Sequence, residues 1–326
     1  MKVLGIGNAL LDVLLPLEND STLTEIGIQK GAMDLIHESQ MRTIHRAQAC
    51  LDRSEAPGGS VCNTMRAMAC LGAKVGYVGK VGADTIGDFY ENAIRKAGVT
   101  PHIIRTEGIS GCSTILISPD GERTMATFLG PAATLSASEI SDELFSVYDC
   151  LYIEGYLISN EALFLPILQR AKKAGLKIAL DLSNFNIVNS FKGLLSEVIP
   201  QYVNILFSNK DEAEAYTGLN AEKAVQKLSE QVVISVVTIG KRGVLVGSCG
   251  GVITVPTTTG SNPIDTTGAG DNFAAGFLYG LTKGAALKQA AQIGSLLADH
   301  VIKTIGPQIP DEFWCQIKLK VDDIVR

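Results

Sequence analysis

Apolar runs of strand length alternate with helical patterns along most of this chain, and this alternation restricts its fold more than any other feature. From residue 72 onward the runs include residues 75–82 (VGYVGKVG), 150–155 (CLYIEG) and 232–240 (VVISVVTIG), each followed by a helical pattern or a turn. Strands that are apolar along their whole length are buried on both faces, as in a parallel sheet covered by helices. We therefore predict an α/β fold in a single domain over residues 1–326, with ligands beyond the carboxyl ends of the strands.

Two helices in this pattern have clear end signals. One is predicted over residues 84–97, because Asp84 is a good capping residue and Gly98 follows the last periodic position. The other is predicted over about 160–174 and ends at Gly175.

Two segments interrupt the alternation. Residues 12–36 and about 101–130 are predicted as extended strands with turns and without an amphipathic helix, and the second contains a PDG turn at 119–121. They would form either a small sheet that projects from the domain as a lid or an edge hairpin packed on it. The sequence leaves both open.

Composition and charge exclude several classes of protein. The 28 basic and 34 acidic residues give a net charge of −6, whereas a nucleic-acid surface needs a basic face. The apolar runs are shorter than the roughly 18 residues of a membrane helix, and no export-type cleavage site follows the N-terminal run. The seven cysteines have no CxxC spacing, which is typical of reduced thiols in the cytoplasm. We expect a cytoplasmic protein with a small-molecule partner, as a monomer or a homodimer.

The strongest local signal is DTTGAGDNFAAGFLYGL at residues 265–281. Gly268, Ala269 and Gly270 let a ligand approach the backbone closely, and they open a helical stretch whose first N–H groups favour an anion. A carboxylate such as Asp271 would repel phosphate, so its presence indicates a base that accepts a proton from an attacking hydroxyl. The alternative is a glycine-rich turn with Asp271 as an ordinary helix-start residue.

A second group of residues suits the hydroxyls of a sugar. Gly58 and Gly59 precede Asn63 in GGSVCN, while Asn8 and Asp12 follow the N-terminal strand. Amide and carboxylate groups together supply the donors and acceptors that neighbouring hydroxyls require. Asp12 alone is equally well interpreted as a turn residue.

Two further clusters follow predicted strands. Asn209 and Glu212 form N-x-x-E, in which Glu212 would orient a water on Mg²⁺ or simply favour the start of a helix. Thr238, Gly240 and Gly243 form TIGKRG, a tight turn against which a nucleotide would lie.

Together these motifs resemble the ribokinase-like (PfkB) family of kinases over nearly the whole chain, with residues 58–89 similar to its first signature and 265–278 to its second. The resemblance implies a Rossmann-type three-layer sandwich, with a central mostly parallel sheet and a small β-sheet lid. It also implies transfer of the γ-phosphoryl group of ATP to a primary alcohol with Mg²⁺. Asp271 would be the general base, and the backbone of 268–271 the anion hole. Asn209 and Glu212 would act on Mg²⁺ and phosphate, and Thr238, Gly240 and Gly243 would form the nucleotide turn.

Within that family the chain most resembles the adenosine kinase branch, because Asn8 and Asp12 are four apart, as in that branch. Residues 121–133, 151–157 and 180–213 are also similar to it. By this resemblance Arg123 would reach the phosphates and Tyr156 would stack on a base. Thr267 stands where adenosine kinases often have Asn, so a sugar such as ribose or fructose remains an alternative acceptor. The segments that would line a slot for the base contain Met33, Phe128, Tyr156 and Leu157.

The same resemblance implies a site for a monovalent cation. Asp265 and Thr267 would contribute ligands beside the anion loop, and main-chain oxygens near residues 300–306 would complete the shell. Potassium suits such an oxygen-only site.

Three other classes are disfavoured. A dinucleotide-binding dehydrogenase requires a third glycine at the position of Leu10 and a helix where Pro16 stands. A P-loop kinase requires GxxxxGK[ST], and the sequence contains no such stretch. A binding module without activity is disfavoured because Asp271 and its glycines are present.

Overall fold

The computed structural model describes residues 1–47, 54–120, 122–257 and 263–326. The strands in this part of the chain are β1 (Val3–Ile6), β2 (Leu10–Pro16), β3 (Met33–Leu35), β4 (Ser54–Gly58), β5 (Val75–Gly82), β6 (Thr100–Thr106), β7 (Gly111–Ile117), β8 (Arg123–Phe128), β9 (Cys150–Glu154), β10 (Lys177–Asp181), β11 (Ile205–Asn209), β12 (Ile234–Thr238), β13 (Val244–Ser248) and β14 (Gly251–Val255). They form a nine-stranded sheet and a five-stranded sheet.

The large sheet has the order β14-β13-β12-β11-β10-β9-β1-β5-β6. Its pairs are parallel except for β12–β13 and β13–β14, which are antiparallel. Side chains of its central strands alternate between two cores: Tyr152 of β9 lies in one, and its neighbours Leu151 and Ile153 lie in the other. The apolar strands therefore lie between two layers of helices, which confirms the predicted fold class.

The helices are α1 (Ser21–Ile26), α2 (Glu38–Ala47), α3 (Ser60–Cys70), α4 (Thr85–Lys96), α5 (Asp142–Phe145), α6 (Phe164–Lys173), α7 (Phe185–Ser190), α8 (Lys192–Tyr202), α9 (Lys210–Thr217), α10 (Ala221–Ser229), α11 (Ala269–Thr282), α12 (Leu287–Val301) and α13 (Trp314–Val325). Residues of α3, α4, α11, α12 and α13 fill the core on one face of the large sheet, and residues of α5 to α10 fill the other. Within the described residues, no helix has both the length and the apolar character needed to span a membrane. The six described cysteines are free thiols.

Both predicted helices with clear end signals are confirmed. The Asp84 side chain accepts a hydrogen bond from the N–H of Gly87 at 2.8 Å and caps α4. After α4, Gly98 takes a φ of +89°, a conformation that glycine adopts readily. The second helix, α6, begins at Phe164, four residues later than predicted, and Gly175 follows its end with a φ of +81°.

The small sheet has the order β3-β8-β7-β2-β4. One face is covered by α1 and α2 over a separate core that includes Leu11, Val13 and Leu116. The opposite face lines a cleft that also borders the carboxyl ends of several large-sheet strands. This arrangement is the small second sheet that the resemblance implied.

Its strands differ from the two predicted extended segments in three places. Residues 100–106 form β6, which pairs with β5 at the edge of the large sheet. Its sequence, TPHIIRT, mixes polar and apolar residues and is partly exposed, as an edge strand of either sheet would be, so the sequence could not assign it to one sheet. Residues 54–58 join the small sheet as β4, and residues 21–26 form the short helix α1, which ends at Gly27 with a φ of +72°. Of the predicted PDG turn, Gly121 lies outside the described residues.

Candidate active site

A cleft of about 430 Å³ lies between the two sheets. Polar residues at the ends of four strands of the large sheet line this cleft. Asn8 follows β1, Glu154 ends β9, Asp181 ends β10 and Asn209 ends β11. Because these strands are parallel neighbours, their carboxyl ends meet at one edge of the sheet. The cleft therefore gathers residues that are more than two hundred positions apart in the sequence.

Asp271 stands in the first turn of α11 and lines this cleft. The Ser60 hydroxyl donates to its Oδ1 at 2.6 Å, and the Asn63 amide donates to its Oδ2 at 2.9 Å. Desolvation raises the pKa of the Asp271 carboxyl, while these two hydrogen bonds lower it. The two donors thus hold the Asp271 carboxylate in place, and burial makes it more basic. A general base requires both.

The loop before Asp271 is shaped by Gly268. Its φ is +73°, and a Cβ atom there would lie 2.6 Å from Cα of Pro307. The Asn272 amide ties the two segments together through bonds to the carbonyls of Gly268 at 2.8 Å and Pro307 at 2.9 Å. The first N–H groups of an α-helix have no partner within it, so the start of α11, where Gly270 borders the cleft, suits an anion.

Asn8 and Glu154 form a buried hydrogen-bond network in the cleft, at the ends of β1 and β9. Oε1 of Glu154 accepts hydrogen bonds from the backbone N–H and the side-chain amide of Asn8, both at 2.9 Å. Its Oε2 accepts from the N–H of Val61 at 3.1 Å, which links β9 to α3. Burial raises the pKa of Glu154 to about 7. Sequence analysis missed Glu154 because it lies at the end of a strand without a recognisable motif.

The small sheet contributes Asp12. Burial, with the nearby charge of Asp271, raises the pKa of Asp12 to about 7. A Cβ atom on Gly58 would lie 2.1 Å from the Asp12 carboxyl group, and one on Gly59 would lie 2.2 Å from the Asn8 carbonyl oxygen. The two predicted glycines are therefore required by the close packing of the predicted acceptor residues around them.

Asn209 and Glu212 cap α9 reciprocally. The Asn209 side-chain oxygen accepts from the N–H of Glu212 at 2.9 Å, and the Glu212 carboxylate accepts from the N–H of Asn209 at 2.8 Å. Asp181 stands nearby in the same cleft; its carboxylate accepts from the N–H of Ser183 at 2.8 Å and from the Tyr152 hydroxyl at 3.2 Å. Burial raises the pKa of both Asp181 and Glu212, and the charge of Asp181 further raises that of Glu212.

Two neighbouring carboxylates that repel each other would be stabilised by a cation between them. Oxygen ligands of this kind suit Mg²⁺, which usually keeps several waters and binds through one or two carboxylates plus phosphates. Asp181 and Glu212 therefore fit a magnesium site, although Asp181 was not among the predicted residues. Its only sequence signal is its position as the last residue of a strand, at the edge where the other polar residues gather.

A second cavity, of about 380 Å³, lies on the other side of the anion loop. It shares Thr238, Gly270 and Phe273 with the cleft, and Gly240 and Gly243 also line it. Both glycines have positive φ, and a Cβ atom on Gly243 would lie 2.1 Å from the Val255 carbonyl oxygen. The predicted nucleotide turn thus borders a cavity adjoining the candidate phosphoryl site.

Arg123 of β8 forms an ion pair with Asp265, the residue predicted to bind a monovalent cation. The Asp265 carboxylate also accepts from the N–H of Thr267 at 3.0 Å and from the N–H of Gly306 at 2.7 Å. Within the described residues, Nη1 of Arg123 is buried without a hydrogen-bond partner. The small sheet is thereby joined to the anion loop by a buried ion pair.

Of the four residues predicted in the segments around a base, two line the cleft and two do not. Met33 and Tyr156 line the cleft, and the Tyr156 hydroxyl donates weakly to the Ser183 carbonyl at 3.4 Å. Phe128 instead packs on the core of the small sheet, because it follows Thr127, which faces the cleft, and successive strand residues face opposite ways. Leu157 is buried in the core of the large sheet.

We expect the free energy of unfolding without ligand to fall as pH rises from about 4 to 7, because carboxyl groups buried in the cleft ionise in this range. The ordinary pKa values of Asp12 and Glu154 are 3.8 and 4.5, and in the folded protein both are about 7. Between these values the folded state binds more protons than the unfolded chain, so stability is lost as pH rises through this window. Urea denaturation at several pH values would measure the slope.

The matched variant for this prediction is Asp12→Asn, which removes one of the titrating groups. It should flatten the slope and leave the protein more stable than the wild type at pH 8. A pH profile that is identical in the two proteins would contradict the raised pKa of Asp12.

Comparisons with known proteins agree with this architecture. The model of the pfkB family of carbohydrate kinases matches residues 27–314. Adenosine kinase from Saccharomyces cerevisiae is 31% identical over 276 residues, which cover 78% of this chain and 80% of the relative. 5-Dehydro-2-deoxygluconokinase from Geobacillus thermodenitrificans is 26% identical, over 89% of this chain and 90% of the relative.

Two solved structures resemble the chain over almost its whole length. A probable sugar kinase from Rhizobium etli has a TM-score of 0.89 and 30% identity, covering 98% of both chains. Adenosine kinase from Sinorhizobium meliloti has a TM-score of 0.87 and 31% identity, also covering 98% of both chains.

Proposed function

Since this chain belongs to the pfkB family of carbohydrate kinases, we propose that it transfers the γ-phosphoryl group of ATP to the primary hydroxyl of a nucleoside, adenosine in particular. The observation that carries the proposal is the position of Asp271. It stands at the start of α11, between the acceptor residues of the cleft and the cavity beside the nucleotide turn.

The proposed reaction is a single displacement at phosphorus. The acceptor oxygen forms a bond to the γ-phosphorus as the bond from phosphorus to the bridging oxygen of ADP breaks, and the hydroxyl proton passes to Asp271. The N–H groups of residues 268–271 stabilise the charge on the transferring group. Asn8, Asp12, Gly59 and Asn63 hold the acceptor so that its primary hydroxyl faces Asp271.

Magnesium would supply positive charge to the phosphates of bound ATP. Asp181 and Glu212 are the residues that would hold it, with Asn209 fixing the Glu212 side chain. The nucleotide would lie along the second cavity, against Thr238, Gly240 and Gly243. Nη1 of Arg123, which is buried and has no hydrogen-bond partner among the described residues, would reach the phosphates of the nucleotide.

The lining of the cleft favours a neutral acceptor with an apolar part. Its described lining residues include Asp12, Glu154, Asp181, Glu212 and Asp271 but neither lysine nor arginine. A sugar acid, such as the substrate of a 5-dehydro-2-deoxygluconokinase, would be repelled by these carboxylates. The apolar residues on the small-sheet side suit the flat ring of a base instead. They are Leu10, Met33, Leu35, Ile115, Met125 and Leu129.

An acceptor screen with ATP and Mg²⁺ tests the proposal. Adenosine, inosine, ribose, fructose and 2-keto-3-deoxygluconate would be compared by kcat/KM in a coupled assay, and we expect adenosine to be highest. If a free sugar exceeded every nucleoside, the protein would be a sugar kinase of the same family.

Asp12→Ala should weaken acceptor binding without changing the affinity for ATP, which calorimetry would measure.

A role for potassium stays a prediction. Asp265 already has a positive partner in Arg123, so a potassium ion would share this carboxylate with the guanidinium. We expect activity to rise several-fold when potassium replaces tetramethylammonium at constant ionic strength. A flat response across potassium, sodium and tetramethylammonium would remove Asp265 and Thr267 from the cation site.

Closure of the small sheet as a lid would exclude water from the reaction. That the protein is a monomer or a homodimer, and that it is located in the cytoplasm, also stay predictions. Sedimentation velocity and cell fractionation would test them.

A further inference from the structure

One row of side chains crosses the small sheet on the face that lines the cleft. In the strand register, Asp12 of β2 pairs with Ser113 of β7, Ser113 pairs with Thr127 of β8, and Thr127 pairs with Leu35 of β3. All four residues line the cleft. Neighbouring strands are about 4.8 Å apart, so Thr127 lies about 10 Å from Asp12, further into the space under the small sheet.

The rows on either side of this one are apolar. Ile115 pairs with Met125, and Met125 pairs with Met33, to form the next row along the strands. Leu10 and Leu129 line the cleft on the other side. The hydroxyl groups of Ser113 and Thr127 are therefore a polar pair in the middle of an apolar wall.

These two hydroxyls are bonded to each other and leave one hydrogen unused. The distance from Oγ of Ser113 to Oγ1 of Thr127 is 3.0 Å, and the residues are 6% and 5% exposed. Two hydroxyl groups carry two hydrogens, and the bond between them uses one. Within the described part of the chain the second hydrogen has no acceptor, so the pair can donate one hydrogen bond and accept others from a ligand in the cleft.

We infer that Ser113 and Thr127 determine acceptor specificity by binding the polar edge of a heteroaromatic ring attached to the sugar that Asp12 holds. The inference rests on the proposed nucleoside kinase activity and adds the residues that recognise the base. A free monosaccharide at Asp12 covers about one strand spacing and does not reach Thr127. An acceptor with a base covers both spacings, places its flat faces against the apolar rows and satisfies the unused hydroxyl hydrogen.

The competing explanation is purely structural. Serine and threonine on neighbouring strands often bond to each other and stabilise a sheet. In that case their loss would affect the small sheet as a whole and would lower turnover of every acceptor alike. The two explanations therefore differ in whether the effect depends on the presence of a base.

The experiment compares the double variant Ser113→Ala/Thr127→Val with the wild type, using adenosine and ribose as acceptors at saturating ATP. We expect kcat/KM for adenosine to fall by about 10- to 100-fold, because a buried polar group of the base loses its partner. Ribose should change by less than about twofold on the same principle. Where ribose turnover is too slow to measure, ATP hydrolysis without acceptor is the base-free reference.

Thr114→Val is the matched control. Thr114 neighbours Ser113 on β7 but faces away from the cleft, where its hydroxyl bonds to His45 at 2.9 Å. It removes a buried hydroxyl from the same strand and should leave the ratio of adenosine to ribose activity unchanged. The single change Thr127→Val, which keeps the side-chain shape, provides a second test if the double variant is unstable.

Each outcome decides the inference. A selective loss with adenosine supports it. An equal loss with both acceptors, or no loss with adenosine, overturns it while the nucleoside kinase activity of the wild type stands. A wild type that phosphorylates a free sugar and no nucleoside overturns the proposed function, and the inference falls with it.

Discussion

Asp271→Asn is expected to lower kcat by about 10²- to 10⁴-fold, the usual effect of losing a general base. The amide keeps the shape of the side chain, but it cannot take the proton from the hydroxyl group of the substrate that is phosphorylated. It also turns a donor toward Ser60 or Asn63, each of which donates to the native carboxylate. Steady-state kinetics would measure the loss, and titration with ATP in the absence of acceptor should give an affinity close to that of the wild type.

The control for this variant is Asp322→Asn, which makes the same chemical change on the exposed side of α13. It should keep full activity. Thermal unfolding of both variants would establish that the fold is retained. Turnover by Asp271→Asn above roughly a tenth of the wild-type rate would refute its role as the base, since a base contributes at least about a hundredfold.

Those predicted residues that the structure brings together share a property visible in the sequence. Asn8 and Asn209 each stand directly after an apolar run, and parallel neighbouring strands bring their ends to one edge. Asp271 and its glycines form a local motif, so their arrangement depends on only a few consecutive residues. Position after a strand and short-range geometry were therefore sufficient to predict the centre of the cleft.

Residues that depend on long-range pairing could not be found in this way. Asp181 faces Glu212 only because β10 and β11 are neighbours in the sheet, and neither a motif nor a fixed spacing marks it. Ser60 reaches Asp271 across 211 positions of sequence. The same limit applies to β6, whose partly exposed sequence suits an edge of either sheet until its partner β5 is known.

Side-chain direction was the other source of error. Phe128 and Thr127 are adjacent, yet one packs on the core of the small sheet and the other faces the cleft. Because a strand has a period of two, a shift of one residue exchanges its two faces. The correct choice required the positions of α1 and α2, which cover the outer face and thereby leave the inner face for a ligand.

Gly268→Ala is expected to lower kcat by about 10²- to 10³-fold, the effect of losing one preorganised donor at a developing charge. Its φ of +73° disfavours any other residue, and its Cβ would lie 2.6 Å from Cα and 2.8 Å from O of Pro307. Backbone atoms cannot move aside as a flexible side chain can, so the loop itself must shift. On the proposed mechanism, the N–H groups of residues 268–271 would then no longer converge on the transferring phosphoryl group.

Gly284→Ala separates this displacement from the general strain of a positive φ. Gly284 has a φ of +74°, almost the same as that of Gly268, but a Cβ atom there would have nothing within 4 Å. It follows α11 at the end opposite the loop. Both variants should lose about 1–2 kcal/mol of stability from the left-handed conformation, while Gly284→Ala keeps its turnover. If the two variants had the same kcat after correction for the folded fraction, the close contact with Pro307 would have no part in catalysis.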